Sequence, residues 1–250
     1  MRKKRILETL SSSGKIDILD MVNLLNVSAM TVRRDLDDLE RQKRLIRTHG
    51  GAALPQMLIS EQSFKKKVSK NLSLKVQIAK KAVNLVKEGM TVSLDTGTTT
   101  LEIAKLLKSR KNITVVTNDI KIASELMDSK LKIIIVGGHV QNEVGAIYGP
   151  FAESILKNIH VDIAFLGAHA IHATYGIAST TFEKATIKKM MIEASESVYV
   201  AVDTSKFNQK AFAKICNVDS VTGIITDNSL SSEIEEIYEK MTDFIKEVDG

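Results

Sequence analysis

The chain has 250 residues, of which 44% are hydrophobic, 26% charged and 4% aromatic, with no tryptophan. This composition is typical of a globular protein of about two domains, and so few aromatic side chains argue against a carbohydrate-stacking surface. The single cysteine, Cys216, is expected to be a small core residue without a disulfide or metal partner, and no apolar run has the roughly 18 residues of a membrane helix, so we expect a cytoplasmic protein.

Charge is distributed unevenly along the chain. Residues 1–81 hold 18 Lys and Arg against 8 Asp and Glu, a net charge of +10, whereas residues 82–250 carry a net −5. A basic N-terminal part followed by a neutral-to-acidic remainder is typical of proteins that bind a polyanion, although a charge run is more often just a solvated surface.

The first 54 residues predict a winged helix-turn-helix. Apolar residues at helical spacing indicate a helix over residues 2–12, and Asp17 can cap a second helix that Asn26 ends. Ser28 caps a third helix that runs to about Gln42. Residues 45–52 then read as two short extended pieces around a Gly-Gly turn, which completes the wing.

Residues 55–73 lose any apolar period and are predicted to be a linker, and residues 74–250 predict an α/β domain. Apolar strands are expected at residues 91–94, 113–117, 132–136, 161–166, 198–202 and 221–226. Helices are expected between them, at residues 74–88, 99–108, 119–128, 150–158, 183–195 and 230–247. Apolar strands that alternate with helices indicate a mostly parallel sheet covered on both faces.

The third helix has the features of a DNA-recognition helix. Val32, Leu36 and Leu39 share one face and should be buried, which turns Arg33 and Arg34 outward. Arginine can bind guanine in the major groove, while Thr31 and the basic residues Arg41, Lys43, Arg44 and Arg47 can contact phosphates. The alternative is a surface helix whose arginines pair with the interleaved Asp35, Asp37 and Asp38.

Polar residues follow the predicted strands, at the edge where ligands of open α/β sheets bind. Asp95-Thr-Gly-Thr-Thr-Thr100 joins the first strand to a helix whose free N–H groups could hold a phosphate. Later strands are followed by Thr117-Asn118, Gly137-Gly138, Gly167 and Asp203-Thr-Ser-Lys206. Each of these segments could also be an ordinary turn.

The N-terminal motifs Thr31-Val-Arg-Arg-Asp-Leu36, Leu39-Glu40 and Arg47-Thr-His-Gly-Gly-Ala52 closely resemble the signature of the DeoR family of bacterial sugar-metabolism repressors. The resemblance implies that residues 1–54 bind double-stranded operator DNA. The residues expected at the DNA are Ser28, Thr31, Arg33, Arg34, Arg44, Arg47, Thr48 and His49.

The resemblance continues through residues 95–99, 117–118, 137–138 and 203–207, which look like landmarks of the DeoR sensor domain. It implies a fold similar to sugar-phosphate isomerases and coenzyme A transferases, and a phosphorylated sugar as effector. In that comparison Gly97, Thr98, Thr99 and Thr100 hold the phosphate. Asp95 and Asn118 address sugar hydroxyls, Lys206 pairs with ligand charge, and Gly137, Gly138 and Glu183 lie near the pocket.

One segment departs from the family pattern. After the fourth strand the family has Gly-Ala-Asp-Gly or Gly-Ala-Asn-Gly, whereas this chain has Gly167-Ala168-His169-Ala170. His169 could contact a phosphate or fill the pocket mouth, and both roles remain open. The identity of the effector, and whether one binds, depends on this segment.

The sequence therefore predicts a repressor of a sugar operon, a homo-oligomer of two or four chains that binds operator DNA and a phosphorylated metabolite. It predicts no catalytic residue, metal, cofactor or membrane contact. Two alternatives remain: a sugar-phosphate isomerase or transferase with a DNA-binding head, in which Asp95, Glu183 and Lys206 are acid and base groups, and a regulator that has lost its ligand.

Overall fold

The computed structural model describes residues 2–13, 15–42, 44–48, 50–53 and 64–245. The N-terminal head contains helices α1 (Arg2–Ser13), α2 (Ile18–Leu25) and α3 (Ala29–Arg41) and strands β1 (Lys15–Asp17), β2 (Ile46–Thr48) and β3 (Gly51–Ala53). The strands form an antiparallel sheet in the order β1-β3-β2. This confirms the winged helix-turn-helix, to which the structure adds β1, a strand that the sequence did not predict.

Capping residues set the helix boundaries in the head. The Asp17 carboxylate accepts a hydrogen bond from Leu19 N at 2.8 Å, and the Ser28 hydroxyl accepts one from Thr31 N at 3.3 Å. Asn26 ends α2 in the left-handed conformation, at φ 51°. These side chains satisfy backbone groups that the helix ends leave unpaired, as the sequence predicted.

The body begins at residue 64. Its helices are α4 (Phe64–Ser69), α5 (Leu72–Asn84), α6 (Thr98–Leu107), α7 (Ile120–Leu126), α8 (Pro150–Lys157), α9 (Phe182–Glu193) and α10 (Ser232–Glu239). Its main sheet contains β4 (Thr91–Leu94), β5 (Thr114–Thr117), β6 (Lys132–Ile135), β9 (Val161–Leu166), β12 (Ser195–Ala201), β14 (Gly223–Ile225) and β15 (Asp243–Ile245). Two small antiparallel sheets consist of β7 (His139–Gln141) with β8 (Ala146–Tyr148), and of β10 (Ala170–His172), β11 (Gly176–Ser179) and β13 (Ala213–Cys216).

The main sheet is parallel throughout, in the order β15-β14-β12-β9-β4-β5-β6. Alternate residues of β9 point to opposite faces: Ile163 and Phe165 pack with α5, α6 and α7, while Ala164 and Leu166 pack with α8, α9 and α10. A strand buried on both faces is apolar without alternation, which is why the sequence indicated this architecture. The carboxyl ends of β4, β9 and β12 lie side by side at one edge.

The predicted linker is partly helical. Residues 64–69 form α4, and α5 begins at Leu72, inside the segment predicted to lack structure, while residues 54–63 lie outside the described part of the chain. Tertiary contacts explain the helix: Phe64 packs against the α5–α7 core, and the Lys121 ammonium lies 4.3 Å from the centre of its ring.

The prediction of one C-terminal helix over residues 230–247 is wrong. Helix α10 ends at Glu239, and β15 joins the sheet, with Phe244 in register with Ile224 of β14. The Thr242 hydroxyl donates to Val221 O at 2.8 Å and fixes the turn between α10 and β15. The pairing partner lies about 20 residues away, so local helical spacing could not reveal it.

Cys216 is half-buried on β13, against the core, rather than fully inside it. Burial raises the pKa of its thiol to about 11. At pH 8 we therefore expect roughly 100-fold less thiolate than in an exposed cysteine, and correspondingly slow alkylation of the native protein by iodoacetamide. Alkylation in urea serves as the control; equal rates in both states would contradict this assignment.

Candidate functional site

The outer face of α3 is the candidate DNA interface. Val32, Leu36 and Leu39 are buried in the head, and Arg33 and Arg34 are exposed, as the helical spacing predicts. Thr31 is half-buried at the start of the helix, where its hydroxyl lies 3.0 Å from that of Ser28. The start of α3 thus carries two exposed arginines and, at its N-terminal end, two hydroxyls.

The acidic residues of α3 pair with other cations. Asp35 is bonded to Arg2 at 2.6 Å, Asp38 to Lys3 at 2.8 Å and also to Arg41, and Asp37 to Arg47 at 3.1 Å. Among the ion pairs of the described residues, none involves Arg33 or Arg34. Arg33 and Arg34 therefore do not pair with the interleaved aspartates, which was the alternative that the sequence left open.

Arg47, a predicted phosphate contact, also makes contacts within the head. Its side chain is 24% exposed, donates to Gly51 O at 3.2 Å and pairs with Asp37, so it fastens the wing to α3. Arg44 is exposed and Thr48 is half-buried beside the wing turn. His49, the remaining predicted wing contact, lies outside the described residues.

A second candidate site is a cavity of about 640 Å³ at the carboxyl ends of β4, β9 and β12. Ligand cavities in proteins span about 300–1,000 Å³, so this one can hold a small metabolite. The structure brings six of the predicted effector residues to its wall: Gly97, Thr98, Thr99, Thr100, His169 and Lys206. The sequence placed them on three separate loops, and the parallel sheet gathers them at one edge.

Lysines dominate the charge of this cavity. Six described lysines line it, against three aspartates: Lys15, Lys67, Lys70, Lys75, Lys188 and Lys206, and Asp17, Asp20 and Asp203. Lys75 is 5% exposed, and burial lowers its pKa. Its ammonium group donates to Lys67 O, and to Lys70 O at 2.7 Å, and thus holds the α4–α5 junction against the cavity. Such a wall favours an anionic ligand.

The first turn of α6 supplies backbone donors to the same cavity. Leu101 N bonds to Gly97 O at 3.0 Å, so the N–H groups of Thr98, Thr99 and Thr100 precede the first intrahelical hydrogen bond. The N-cap residue of this helix is Gly97, which has no side chain to accept from these groups. N–H groups at a helix start and the positive end of the helix dipole attract an oxyanion, and the lysines that line the same cavity strengthen that attraction.

The loop before α6 is held by hydrogen bonds to the loop between β5 and α7. Thr96 donates from its backbone N to Asn118 Oδ1 at 3.0 Å and from its hydroxyl to Asp119 Oδ2 at 2.7 Å. Burial raises the pKa of Asp119, while the bonds from Thr96 and from the N–H groups that it caps on α7 oppose that shift. These bonds hold the turn that precedes α6 in place.

Asp95 and Lys188 form a buried ion pair beneath the cavity, with 0% and 2% of their surfaces exposed. The Lys188 ammonium also donates to Gly167 O at 2.9 Å, and Gly167 N donates to Asp95 Oδ2 at 2.9 Å. The prediction that Asp95 addresses sugar hydroxyls is corrected, because this carboxylate ties the ends of β4 and β9 to α9.

Four other predicted effector residues do not line the cavity. Asn118 uses both atoms of its amide internally, since Nδ2 donates to Ile147 O at 3.3 Å. Gly138 has φ 153° and lies so close to Tyr148 O that a Cβ would come within 2.5 Å, which explains this glycine by packing. Gly137 adjoins it, and Glu183 is exposed on α9. Asn118 and Gly138 thus have structural roles, whereas Gly137 and Glu183 lie outside the cavity lining.

The segment that departs from the family pattern, Gly167-Ala168-His169-Ala170, lies at the cavity. Ala168 and His169 line it, and His169 Nδ1 is 3.4 Å from the Ser179 hydroxyl. Ala170 begins β10 and is 1% exposed. The histidine thus stands at the wall, where it can contact an anion.

Sequence reasoning missed the lysines on buried helix faces. Lys188 lies three residues from both Ala185 and Met191, and Lys75 three residues before Ile78, so each occupies an apolar stripe. A lysine on such a stripe was the available signal, because a buried lysine requires a partner.

In the described part of the chain, no group of His, Cys, Asp and Glu could hold a metal ion, and none of the helices has the length and apolar character of a membrane-spanning helix.

Known families and proteins match the chain along most of its length. The DeoR-like helix-turn-helix domain matches residues 2–57, and the DeoR C terminal sensor domain matches residues 70–228. The lactose phosphotransferase system repressor of Lactococcus lactis subsp. lactis is 35% identical over 98% of this chain and 97% of its own. The HTH-type transcriptional regulator GlpR of Haloferax volcanii is 32% identical over 95% and 93%. Among solved structures, ribose 5-phosphate isomerase A from Methanocaldococcus jannaschii superposes with a TM-score of 0.43 at 24% identity, over 55% of each chain.

Proposed function

This chain belongs to the DeoR family of transcriptional regulators, and we propose that it represses a sugar or sugar-phosphate operon and responds to a phosphorylated sugar. The observation that carries the proposal is the lysine-rich cavity, in which the α6 N-terminus and Lys206 face the same space. The head would bind operator DNA in the cytoplasm through the exposed arginines of α3.

The chemistry of the cavity supports a phosphorylated sugar rather than a neutral one. A phosphate carries close to two negative charges, which suit the lysines and the N–H groups of Thr98, Thr99 and Thr100. A sugar needs hydrogen-bond partners for its hydroxyls, and Asp203, Gln209 and Thr180 lie along the same wall. A volume of about 640 Å³ leaves room for both parts of the ligand.

We propose that the body binds its ligand without transforming it. Asp95, the predicted acid or base, is buried in its pair with Lys188, and Glu183 lies away from the cavity. The polar groups that face the cavity include lysines, hydroxyls, aspartates, His169 and Gln209. They can hold a phosphorylated sugar, and the relatives named above are regulators.

Repression further requires more than one chain. We propose a homo-oligomer, a dimer or a tetramer, because two recognition helices then meet two half-sites about 34 Å apart on one side of the DNA. Ligand binding would alter the relative placement of the heads, with a coupling free energy of about 1–3 kcal/mol.

Replacing Thr98 by alanine is expected to weaken the response to sugar phosphate and leave DNA affinity unchanged. Thr98 lines the cavity on the first turn of α6 and lies far along the chain from α3. Loss of one hydrogen bond to a charged oxygen should raise the Kd for the sugar phosphate by about tenfold. Isothermal titration measures that Kd, and fluorescence anisotropy measures operator binding.

Thr186→Ala is the matched control, since Thr186 is exposed on α9 and does not line the cavity. If Thr98→Ala and Thr186→Ala bind sugar phosphate equally, the cavity is not the effector site. If Thr98→Ala loses operator binding instead, the division of work between head and body is wrong.

A further inference from the structure

The head completes one wall of the cavity. Lys15 and Asp17 on β1 and Asp20 on α2 line it, together with Thr48 and Gly50 of the wing. The body contributes the α6 N-terminus and the loop that carries Lys206 to the same cavity. A ligand in this space would touch both domains.

A second contact joins the domains outside the cavity. Glu40 on α3 lies 3.7 Å from the Lys210 ammonium of the body, and that ammonium also lies 4.3 Å from the centre of the Tyr175 ring. Arg33 and Arg47 of the head line a crevice here with His172 of the body. The Glu40–Lys210 pair is about one-third exposed on each side, so it orients the head without holding it firmly.

In this arrangement part of the candidate DNA interface faces the body. Thr48 and Gly50 of the wing face both the cavity and the crevice, and Arg33 of the recognition helix lines the crevice. A winged helix-turn-helix on DNA needs these same surfaces against the groove and the phosphates. In the docked head, Thr48, Gly50 and Arg33 thus face the body, where an operator would have to replace those contacts.

We propose that the effector site is shared between the two domains, and that a sugar phosphate bound in it holds the head in this docked position and so releases operator DNA. The inference rests on the proposed function and adds the head residues Asp20 and Lys15 to the ligand site. The phosphate lies on the body, at the α6 N-terminus, and the sugar hydroxyls donate to Asp20. On the head side the charges of Asp17 and Asp20 outnumber that of Lys15, which disfavours phosphate there.

The first test compares a sugar phosphate with inorganic phosphate in the full-length protein. Asp20→Asn is expected to raise the Kd about tenfold for whichever of glucose 6-phosphate, fructose 6-phosphate and ribose 5-phosphate binds the wild type, because a charged acceptor of a hydroxyl is lost. The Kd of inorganic phosphate should not rise, since it does not reach the head. Glu8→Gln on α1, away from the cavity, is the control.

The second test uses a residue that no ligand touches. Lys210 does not line the cavity, yet Lys210→Glu is expected to raise the Kd of the same sugar phosphate about fivefold, because repulsion from Glu40 disfavours docking. Adding Glu40→Lys should restore the Kd, whereas a purely local role of Lys210 in the body would not be rescued by a change in the head. Lys189→Glu, an exposed site on α9, controls for the change in charge.

Wild-type Kd values in both Asp20→Asn and Lys210→Glu would overturn the shared site. If Thr98→Ala weakens binding while these two variants do not, the effector lies in the body alone and the proposed function stands. If no sugar phosphate binds the wild type, both proposals fall.

Discussion

Replacing Lys188 by methionine is expected to lower the free energy of unfolding by about 3–5 kcal/mol. The methionine fills a similar volume but leaves the Asp95 carboxylate, 0% exposed, without its cation. One oxygen of this carboxylate, Oδ1, already has no hydrogen-bond partner among the described residues, so little can compensate for the lost charge. The cost comes from desolvated charge rather than from lost packing.

Urea unfolding followed by circular dichroism measures this effect, and Lys189→Met is the control because Lys189 is the exposed neighbour on the same helix. Adding Asp95→Asn to Lys188→Met should recover most of the stability, since the amide can still accept from Gly167 N but carries no charge. Equal stability of Lys188→Met and Lys189→Met would show that the Asp95–Lys188 pair is not buried as described.

Replacing Arg34 by alanine is expected to weaken operator binding by about 1–3 kcal/mol, roughly 5- to 150-fold in Kd. Arg34 is exposed on α3 and takes part in none of the ion pairs among the described residues, so its guanidinium is available to a guanine or a phosphate. The two roles differ in outcome. Loss of a base contact relaxes the sequence preference. Loss of a phosphate contact weakens binding equally on all sequences and lowers its salt dependence.

Fluorescence anisotropy on the DNA upstream of the protein's own gene, at several salt concentrations, measures both quantities. Lys157→Ala removes the same charge from the end of α8 in the body and should leave DNA binding unchanged. Equal weakening in the two variants would mean that net charge, and not the recognition helix, governs binding.

Local signals predicted the head well. Asp17 and Ser28 cap helices through their own side chains, Asn26 ends one in the left-handed conformation, and the apolar spacing of α3 identified its buried face. Each of these features depends on residues a few positions apart. Such signals are legible in a single sequence because the physical cause lies in the same segment.

The cavity was only half predictable. The turn at Gly97 to Thr100 and the loop that ends in Lys206 follow apolar strands, and a parallel sheet must bring such loops to one edge. Asp95 and Asn118 follow strands in the same way, yet they point inward to Lys188 and Ile147. Strand position places a residue at the edge of the sheet, but packing decides whether its side chain meets the cavity or the core.

The remaining features depend on contacts between distant segments. Strand β15 exists because it pairs with β14, and α4 because Phe64 packs on the body. The head residues Lys15 and Asp20 reach the cavity only through the docking of two domains. None of these contacts produces a periodic pattern in the surrounding sequence.

The most direct test of the account is operator binding by the full-length protein with and without a panel of sugar phosphates. We expect tight, salt-sensitive binding to the DNA upstream of its own gene, weakened at least fivefold by one sugar phosphate in the wild type and less in Thr98→Ala. Specific binding that no sugar phosphate changes would contradict the effector assignment. Absence of specific binding to any DNA would contradict the account as a whole.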